Sequence, residues 1–140
     1  MFQDGMKMSG KLTISLNDEV VREIDNLVVT AGKEFVASRM IGTSANVMSH
    51  MAVGSGSTAA AAGDTALGSE LGRTTTSASA SGAVVTYSST FAAGTGTGAV
   101  TEAAILNASS SGTMLCRTVF SVVNKGASDS MTVSWTVTVS

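Results

Sequence analysis

Proline, cysteine, histidine and charged residues are all scarce in this sequence. Its 140 residues include no proline, one cysteine and one histidine. Because Cys116 stands alone, an internal disulfide is excluded, which fits assembly in a reducing cytoplasm. Charged residues make up 13% of the chain, about half the share of a typical soluble domain. We therefore expect much of the surface to be covered by partners or to consist of serine and threonine side chains.

The charge pattern and the apolar pattern limit the classes of partner. The formal net charge is −2 at pH 7, and the basic residues are scattered singly, so no patch is predicted to bind nucleic-acid phosphates. The apolar runs fall short of the roughly 18 residues that span a membrane. Residues 1–10 also lack the pattern of a signal peptide. We expect neither nucleic acid nor a membrane among the partners.

The chain is predicted to contain three segments: an N-terminal arm or short strand at 1–16, a helical segment at 17–42 and a β-domain at 43–140. In the helical segment, Asn17 is suited to an N-cap and Gly42 to a C-terminal stop, while Gly32 is a candidate break. The apolar residues that recur there at helical spacing are Val20, Ile24, Leu27, Val28, Ala31, Phe35 and Val36.

Residues 43–140 show the two-residue period of strands, most clearly over Met131–Val139, where apolar residues alternate with serine and threonine. Further strands are predicted over 84–91, 99–106 and 113–123, joined by glycine-rich and serine-rich turns. This spacing is typical of an antiparallel β-sandwich. The predicted fold is therefore mainly β, a jelly-roll-like sandwich preceded by an N-terminal α-helical segment.

Two groups of residues are candidates for the core or for assembly. The apolar candidates lie on the predicted buried faces of strands; they are Trp135, Val133, Val137, Phe91 and Tyr87. The charged candidates are Glu102 and Arg117, which can form ion pairs between strands or between subunits, or can be solvated on a strand face. The same alternatives apply to Lys125 and Arg73.

We predict no catalytic, cofactor or metal site. His50 is expected to be packed or hydrogen-bonded, and Cys116 to be a buried, inert thiol. Gly94–Gly98 lacks the Lys-Ser/Thr ending of a phosphate loop, so a flexible hairpin is predicted there. Asp64 is isolated in sequence from other acidic residues, which gives no calcium-loop pattern. Asp64 or Thr65 is a candidate cap for a short helix that carries Leu67 and Leu71.

Glycine turns and strand patterns over residues 18–140 resemble those of small virion structural proteins of tailed bacteriophages. One departure from the family pattern is Ala103-Ala104, where a glycine turn is expected. The segments that carry the resemblance are His50–Thr58, Gly63–Leu67, Glu70–Arg73, Gly96–Asn107, Gly112–Phe120 and Met131–Val139.

The resemblance implies a structural, non-enzymatic component of a phage virion, assembled in the host bacterial cytoplasm. One placement is a capsid decoration, or cement, protein that stabilises the shell, with the segment at 1–16 as an arm that docks on it. The alternative is a tail-fibre or baseplate subunit that can bind a host glycan. In both placements the expected partners are further copies of the chain and other virion proteins, either the major capsid protein or tail proteins.

Overall fold

The structure is a computed structural model that describes residues 6–43 and 45–140. Over these residues the chain forms nine strands and one helix. The strands are β1 (Met8–Leu16), β2 (Glu19–Val28), β3 (His50–Gly54), β4 (Glu70–Thr75), β5 (Ser77–Ser81), β6 (Val84–Phe91), β7 (Gly98–Leu106), β8 (Met114–Lys125) and β9 (Met131–Val139), and the helix α1 is Thr30–Arg39. None of the described helical residues forms a helix long and apolar enough to cross a membrane.

The nine strands lie in one sheet, in the order β4-β3-β7-β8-β2-β1-β9-β6-β5, and neighbouring strands are antiparallel. The sheet curls into a nearly closed barrel. The β4 end approaches β6, where the Ser89 hydroxyl donates to the Thr75 carbonyl at 3.1 Å. The prediction of a mainly antiparallel β fold is confirmed. The jelly-roll sandwich is not confirmed, because the strands follow one another in a single continuous order.

The predicted helix over 17–42 is wrong in its first half. Asn17 and Asp18 both have positive φ, 49° and 67°, as the two central residues of a type I′ turn require. They join β1 to β2 in a tight hairpin, so Asn17 is a turn residue and not an N-cap. Residues 8–16 therefore lie within the sheet, between β2 and β9, and not in a separate arm. Residues 1–5 of the predicted arm lie outside the described residues.

The strand pattern of β2 is hidden by polar residues on its core-facing side. Arg22, Ile24 and Asn26 pair with Ile14, Leu12 and Gly10 of β1, so they share the face that β1 turns to the core. A register shift between Ile14 and Ser15 also breaks the alternation. With arginine and asparagine at core-facing positions, the remaining apolar residues imitate a helical period.

The helix α1 keeps only the second half of the predicted helical segment. It packs on β8, and Gly32 is its buried residue. A side chain at Gly32 would collide with the Leu115 carbonyl oxygen. Gly32 therefore permits a close approach between helix and sheet, and does not break the helix.

Most strands predicted in the second half of the chain are confirmed. The bounds of β6 and β9 match their predictions, and β7 and β8 agree to within two residues at each end. In contrast, the sequence does not predict β4 or β5, because β4 has a single apolar residue, Leu71, and β5 consists only of serine and alanine. The glycine turn at 94–98 does not form a hairpin, because β6 pairs with β5 and β9 while β7 pairs with β3 and β8.

Candidate functional site

A buried ion cluster lies on the outer side of the sheet. Glu102 on β7 is 0% exposed, and Arg117 on the neighbouring β8 is 3% exposed. Ala103 and Ile105, which alternate with Glu102 along β7, belong to the main core. Glu102 therefore points to the opposite face of the sheet, where loop 55–69, between β3 and β4, covers it.

The Glu102 carboxylate accepts five hydrogen bonds within the chain. Its Oε1 accepts from Arg117 Nε at 3.1 Å, from Arg117 Nη2 at 2.9 Å and from the Gly68 amide at 2.8 Å. Its Oε2 accepts from the amides of Gly56 at 2.7 Å and Ser69 at 2.8 Å. Burial alone would raise the pKa of Glu102, but these amide and guanidinium donors outweigh it and lower the pKa from its ordinary value.

Asp64 joins the cluster from the middle of loop 55–69. Its Oδ2 accepts from Arg117 Nη1 at 2.8 Å and from the Ala61 amide at 2.9 Å. The amide of Ala61 is the largest cause of a lowered pKa at Asp64, and Arg117 adds to it against some desolvation. Arg117 Nη2 also donates to the Thr58 carbonyl at 3.0 Å. One guanidinium thus connects the sheet to two points of the loop.

Glycines let the loop backbone approach the carboxylate. A Cβ at Gly56 would lie 2.5 Å from Glu102 Oε2, and one at Gly54 would lie equally close. Real Cβ atoms do not come this near to an oxygen, so a side chain at either position would push the loop away. The Thr101 hydroxyl fixes the loop a second time by donating to the Gly56 carbonyl at 2.7 Å.

The cluster holds a loop whose outer surface is almost uncharged. The exposed residues of loop 55–69 are small, and include Ser57, Thr58, Ala59, Ala61, Ala62, Thr65 and Ala66. Leu67 packs inward on a small cluster formed with Ala104 and Leu106 of β7. The Glu102 and Arg117 side chains make their bonds inside the protein. The arrangement therefore fixes the position of the outer surface of loop 55–69.

The structure places the apolar candidates from the sequence in one core. Phe91, Val133 and Trp135 are 0% exposed, and Tyr87 and Val137 are buried beside them. Tyr87 and Trp135 are cross-strand partners on β6 and β9. Desolvation by burial, followed by the nearby Cys116, raises the pKa of Tyr87. These side chains support the fold and do not form part of the ion cluster.

The other residues considered for chemistry lie apart from one another. The His50 Nδ1 is hydrogen-bonded to the Ser49 hydroxyl at 2.8 Å. Cys116 is fully buried, and burial raises the pKa of its thiol far above the ordinary range. Among the described residues no group of three or more His, Cys, Asp and Glu side chains can hold a metal ion.

Two further cations are bonded to carbonyl groups. The buried Lys125 Nζ donates to the Ala92 carbonyl at 2.9 Å, close to the turn that follows β6. Arg73 pairs with Glu70 at 2.7 Å and also donates to the carbonyls of Ala108 and Ser111. Lys125 thus fixes the connection between β6 and β7, and Arg73 fixes the β7–β8 connection against β4.

Sequence reasoning singled out Glu102 and Arg117, and the structure shows them as a buried pair between strands. The solvated alternative does not hold for them. Sequence reasoning missed the place of Asp64, which caps no helix, and the role of Gly56 and Gly68. One signal is present in the sequence: glycine recurs in the loop, and an isolated glutamate lies in a later strand. No spacing rule connects residues that lie so far apart in the chain.

No family model matches the sequence, and no curated protein and no solved structure matches it either.

Proposed function

We propose that this protein is a non-enzymatic structural subunit of a tailed-bacteriophage particle, placed on the capsid surface as a decoration protein. The observation that carries the proposal is loop 55–69, an almost uncharged surface of small residues held in place by the buried Glu102 and Arg117 and by the partly exposed Asp64. The phage setting rests on the sequence resemblance, and the structural role rests on this loop.

A surface of this kind suits packing against another protein. Alanine and serine side chains lose little conformational entropy when a partner covers them, and glycine has no side chain to immobilise. Because the ion cluster fixes the loop before any partner binds, the entropic cost of ordering its backbone is already met on folding. A loop that served only to connect β3 with β4 would not need a buried ion cluster, since ion pairs in the interior contribute little net stability.

The free edge of the sheet supports the same role. β5 is the last strand of the sheet, and all five of its residues, from Ser77 to Ser81, are exposed. They include no charged residue and no proline, which are the residues that commonly protect edges from pairing. An unprotected edge is suited to a protein that is covered by neighbours in its assembled state.

The second candidate is a tail-fibre or baseplate subunit that binds a host glycan. The observation that favours it is a depression of about 310 Å³ on the outer face of β2, β1 and β9. Hydroxyl and charged groups line it, as sugar hydroxyls require; they are Ser9, Lys11, Asp25, Thr136 and Thr138. In this placement the outward threonines of β9 contact the sugar.

The two placements differ in copy number, so the deciding experiment is quantitative mass spectrometry of purified particles that contain the chain. Hundreds of copies per particle, and loss of shell stability when the chain is absent, are expected for a decoration protein. Tens of copies, with binding of the purified chain to a cell-surface glycan, would overturn the capsid placement in favour of the tail.

A variant of loop 55–69 tests directly whether this loop is a packing surface. Ala59→Glu places a charge on the exposed surface of loop 55–69 at a residue without a side-chain bond. We expect it to reduce the number of copies per particle while the melting temperature stays the same. Ala93→Glu, at an exposed alanine in the β6–β7 connection, is the matched control and should be incorporated normally. Equal incorporation of both variants would show that loop 55–69 is not a packing surface.

A further inference from the structure

A groove lined by methionine lies at one end of the barrel, between the start of β1 and the helix α1. Its volume is about 470 Å³, and its lining residues are Met6, Lys7, Met8, Lys33, Val36, Ala37 and Met40. Met6 is 82% exposed and Met40 is 84% exposed. Methionine side chains adapt their shape to a partner, and the two lysines make the groove positively charged. The groove is therefore suited to a segment that is both apolar and acidic.

Such a segment lies at the opposite end of β1. The β1–β2 hairpin turns at Asn17 and Asp18, and the first two residues of β2 are Glu19 and Val20, of which Val20 is 58% exposed. Asp129, from the β8–β9 connection, accepts a hydrogen bond from Asn17 at 3.0 Å and adds a third carboxylate. We call this group, Asp18, Glu19, Val20 and Asp129, the acidic turn.

We propose that the acidic turn of one copy of this protein binds in the methionine groove of a second copy. Glu19 and Asp18 face the ammonium groups of Lys7 and Lys33, while Val20 contacts Met6, Met8 and Met40. Both halves of the contact are exposed in the single chain, and their charges are opposite.

Neighbouring charged groups agree with this pairing. On α1, Glu34 lines a different depression, together with Phe35 and Ser38, so it does not neutralise the groove. Arg39 donates to the carbonyls of Thr43 and Ala45. Beside the acidic turn, the Arg22 guanidinium is bonded to the carbonyls of Ser121 and Val122. Pairing of one groove with another groove would bring lysines together, and is disfavoured.

The geometry makes the contact head-to-tail. The groove and the turn lie at opposite ends of β1, a nine-residue strand that spans about 30 Å. A contact between two different surfaces produces rings or open chains, or a two-fold dimer if two antiparallel copies make the contact twice. This contact shares with the proposed function only the assumption that the protein self-associates. It uses neither loop 55–69 nor the β5 edge.

Charge exchange between two variants provides the test, by sedimentation velocity of the full chain over a range of concentrations. Lys33→Glu places a carboxylate in the groove where Glu19 of the other copy binds, and Glu19→Lys places an ammonium group in the turn where it meets Lys33 of the other copy. We expect each variant alone to associate about tenfold more weakly than the wild type, because like charges then meet. Equimolar mixing should restore association, since residue 19 of each variant then meets an opposite charge at residue 33 of the other. Glu34→Lys, on the other side of α1, is the control and should associate like the wild type.

Three results would overturn the contact. The first is a wild-type chain that stays monomeric at all concentrations, and the second is a mixture that fails to recover. The third is association that appears only after deletion of residues 1–5, which would mean that this segment and not a second copy fills the groove. A chain that self-associates as expected but is present in few copies per particle would overturn the capsid placement while leaving this contact in place.

Discussion

Two buried polar sites of this protein differ in how their hydrogen bonds are satisfied. On the outer face of the sheet, the Glu102 carboxylate accepts five hydrogen bonds from Arg117 and from loop 55–69. On the core side, the Asn26 side-chain oxygen and nitrogen are buried without a partner among the described residues. Asn26 lies over Gly10, where an added Cβ would collide with its amide.

The difference shows where a β-barrel can accommodate polar groups. Backbone amides inside a sheet are already paired in the strand ladder, so they are not free to bond a side chain in the core. A covering loop has free amides and can direct them at a carboxylate, as Gly56, Gly68 and Ser69 do. The outer site therefore stabilises the loop, whereas the inner site costs the free energy of an unsatisfied buried amide.

Loss of the Glu102 charge is expected to have the largest effect on stability. Glu102→Gln leaves the Arg117 cation buried with only Asp64 as a counterion and turns an amide donor toward other donors. We expect a loss of about 3–5 kcal/mol in the free energy of unfolding. Urea unfolding followed by the fluorescence of the buried Trp135 measures it.

The matched control for this change is Glu70→Gln, in an exposed ion pair with Arg73. Its expected cost is at most about 1 kcal/mol, since surface pairs contribute little. If the two variants lose equal stability, burial of the Glu102 pair is not what makes it important.

A methyl group at Gly56 tests whether the loop must approach the carboxylate this closely. Gly56→Ala places a Cβ 2.5 Å from Glu102 Oε2, so the loop has to shift and its hydrogen bonds lengthen. We expect a loss of about 1–3 kcal/mol, measured by urea unfolding. In Gly63→Ala, where no atom lies within 4 Å of the added Cβ, stability should stay the same or rise slightly. Equal effects at both positions would contradict the close approach.

Acid should weaken the outer site. The lowered pKa values of Glu102 and Asp64 mean that the unfolded chain takes up protons at a higher pH than the folded chain does. The stability they contribute is present above the ordinary carboxyl range near pH 4, and is lost as the pH falls below it. Each carboxylate changes the free energy of unfolding by at most about 1.4 kcal/mol per pH unit, and the partly exposed Asp64 by less.

Urea unfolding at several pH values between 7 and 2.5 measures this slope. The double variant Glu102→Gln/Asp64→Asn should flatten this slope. The remaining slope then comes from other carboxylates such as the partly exposed Asp129, whose pKa is also lowered, chiefly by its hydrogen bond from Asn17. A double variant with the wild-type slope would show that other groups control acid unfolding.

The smallest effect, and one of opposite sign, is expected at the inner site. Asn26→Leu replaces an unsatisfied amide by an apolar group of similar size and should stabilise the protein by about 1 kcal/mol. Asn124→Leu, at an exposed position of β8, is the control and should leave stability nearly unchanged. A clear loss of stability in Asn26→Leu would show that the amide is bonded in solution.

The sequence predicts the elements of this fold unevenly. β9 is predictable because apolar and polar residues alternate along it, and β6, β7 and β8 because they are rich in apolar and β-branched residues between glycine and serine turns. The sequence predicts a helix at β2 because Arg22 and Asn26 occupy core-facing positions. The positive-φ pair Asn17-Asp18 is suited to a hairpin turn, but the same asparagine is suited to a helix N-cap, and local sequence does not choose between them.

The sequence by itself determined the class of the fold, the apolar core around Trp135 and the presence of two charged residues in otherwise uncharged strands. Only the tertiary structure decided that β1 and β2 join the sheet, that Glu102 meets Arg117, and that loop 55–69 covers both. The physical reason is range: alternation and turn chemistry act over a few residues. In contrast, the amides that bind Glu102 lie 33 to 46 residues away from it along the chain. The Asp64 carboxylate lies 53 residues away from Arg117. Only the curled sheet brings these groups together.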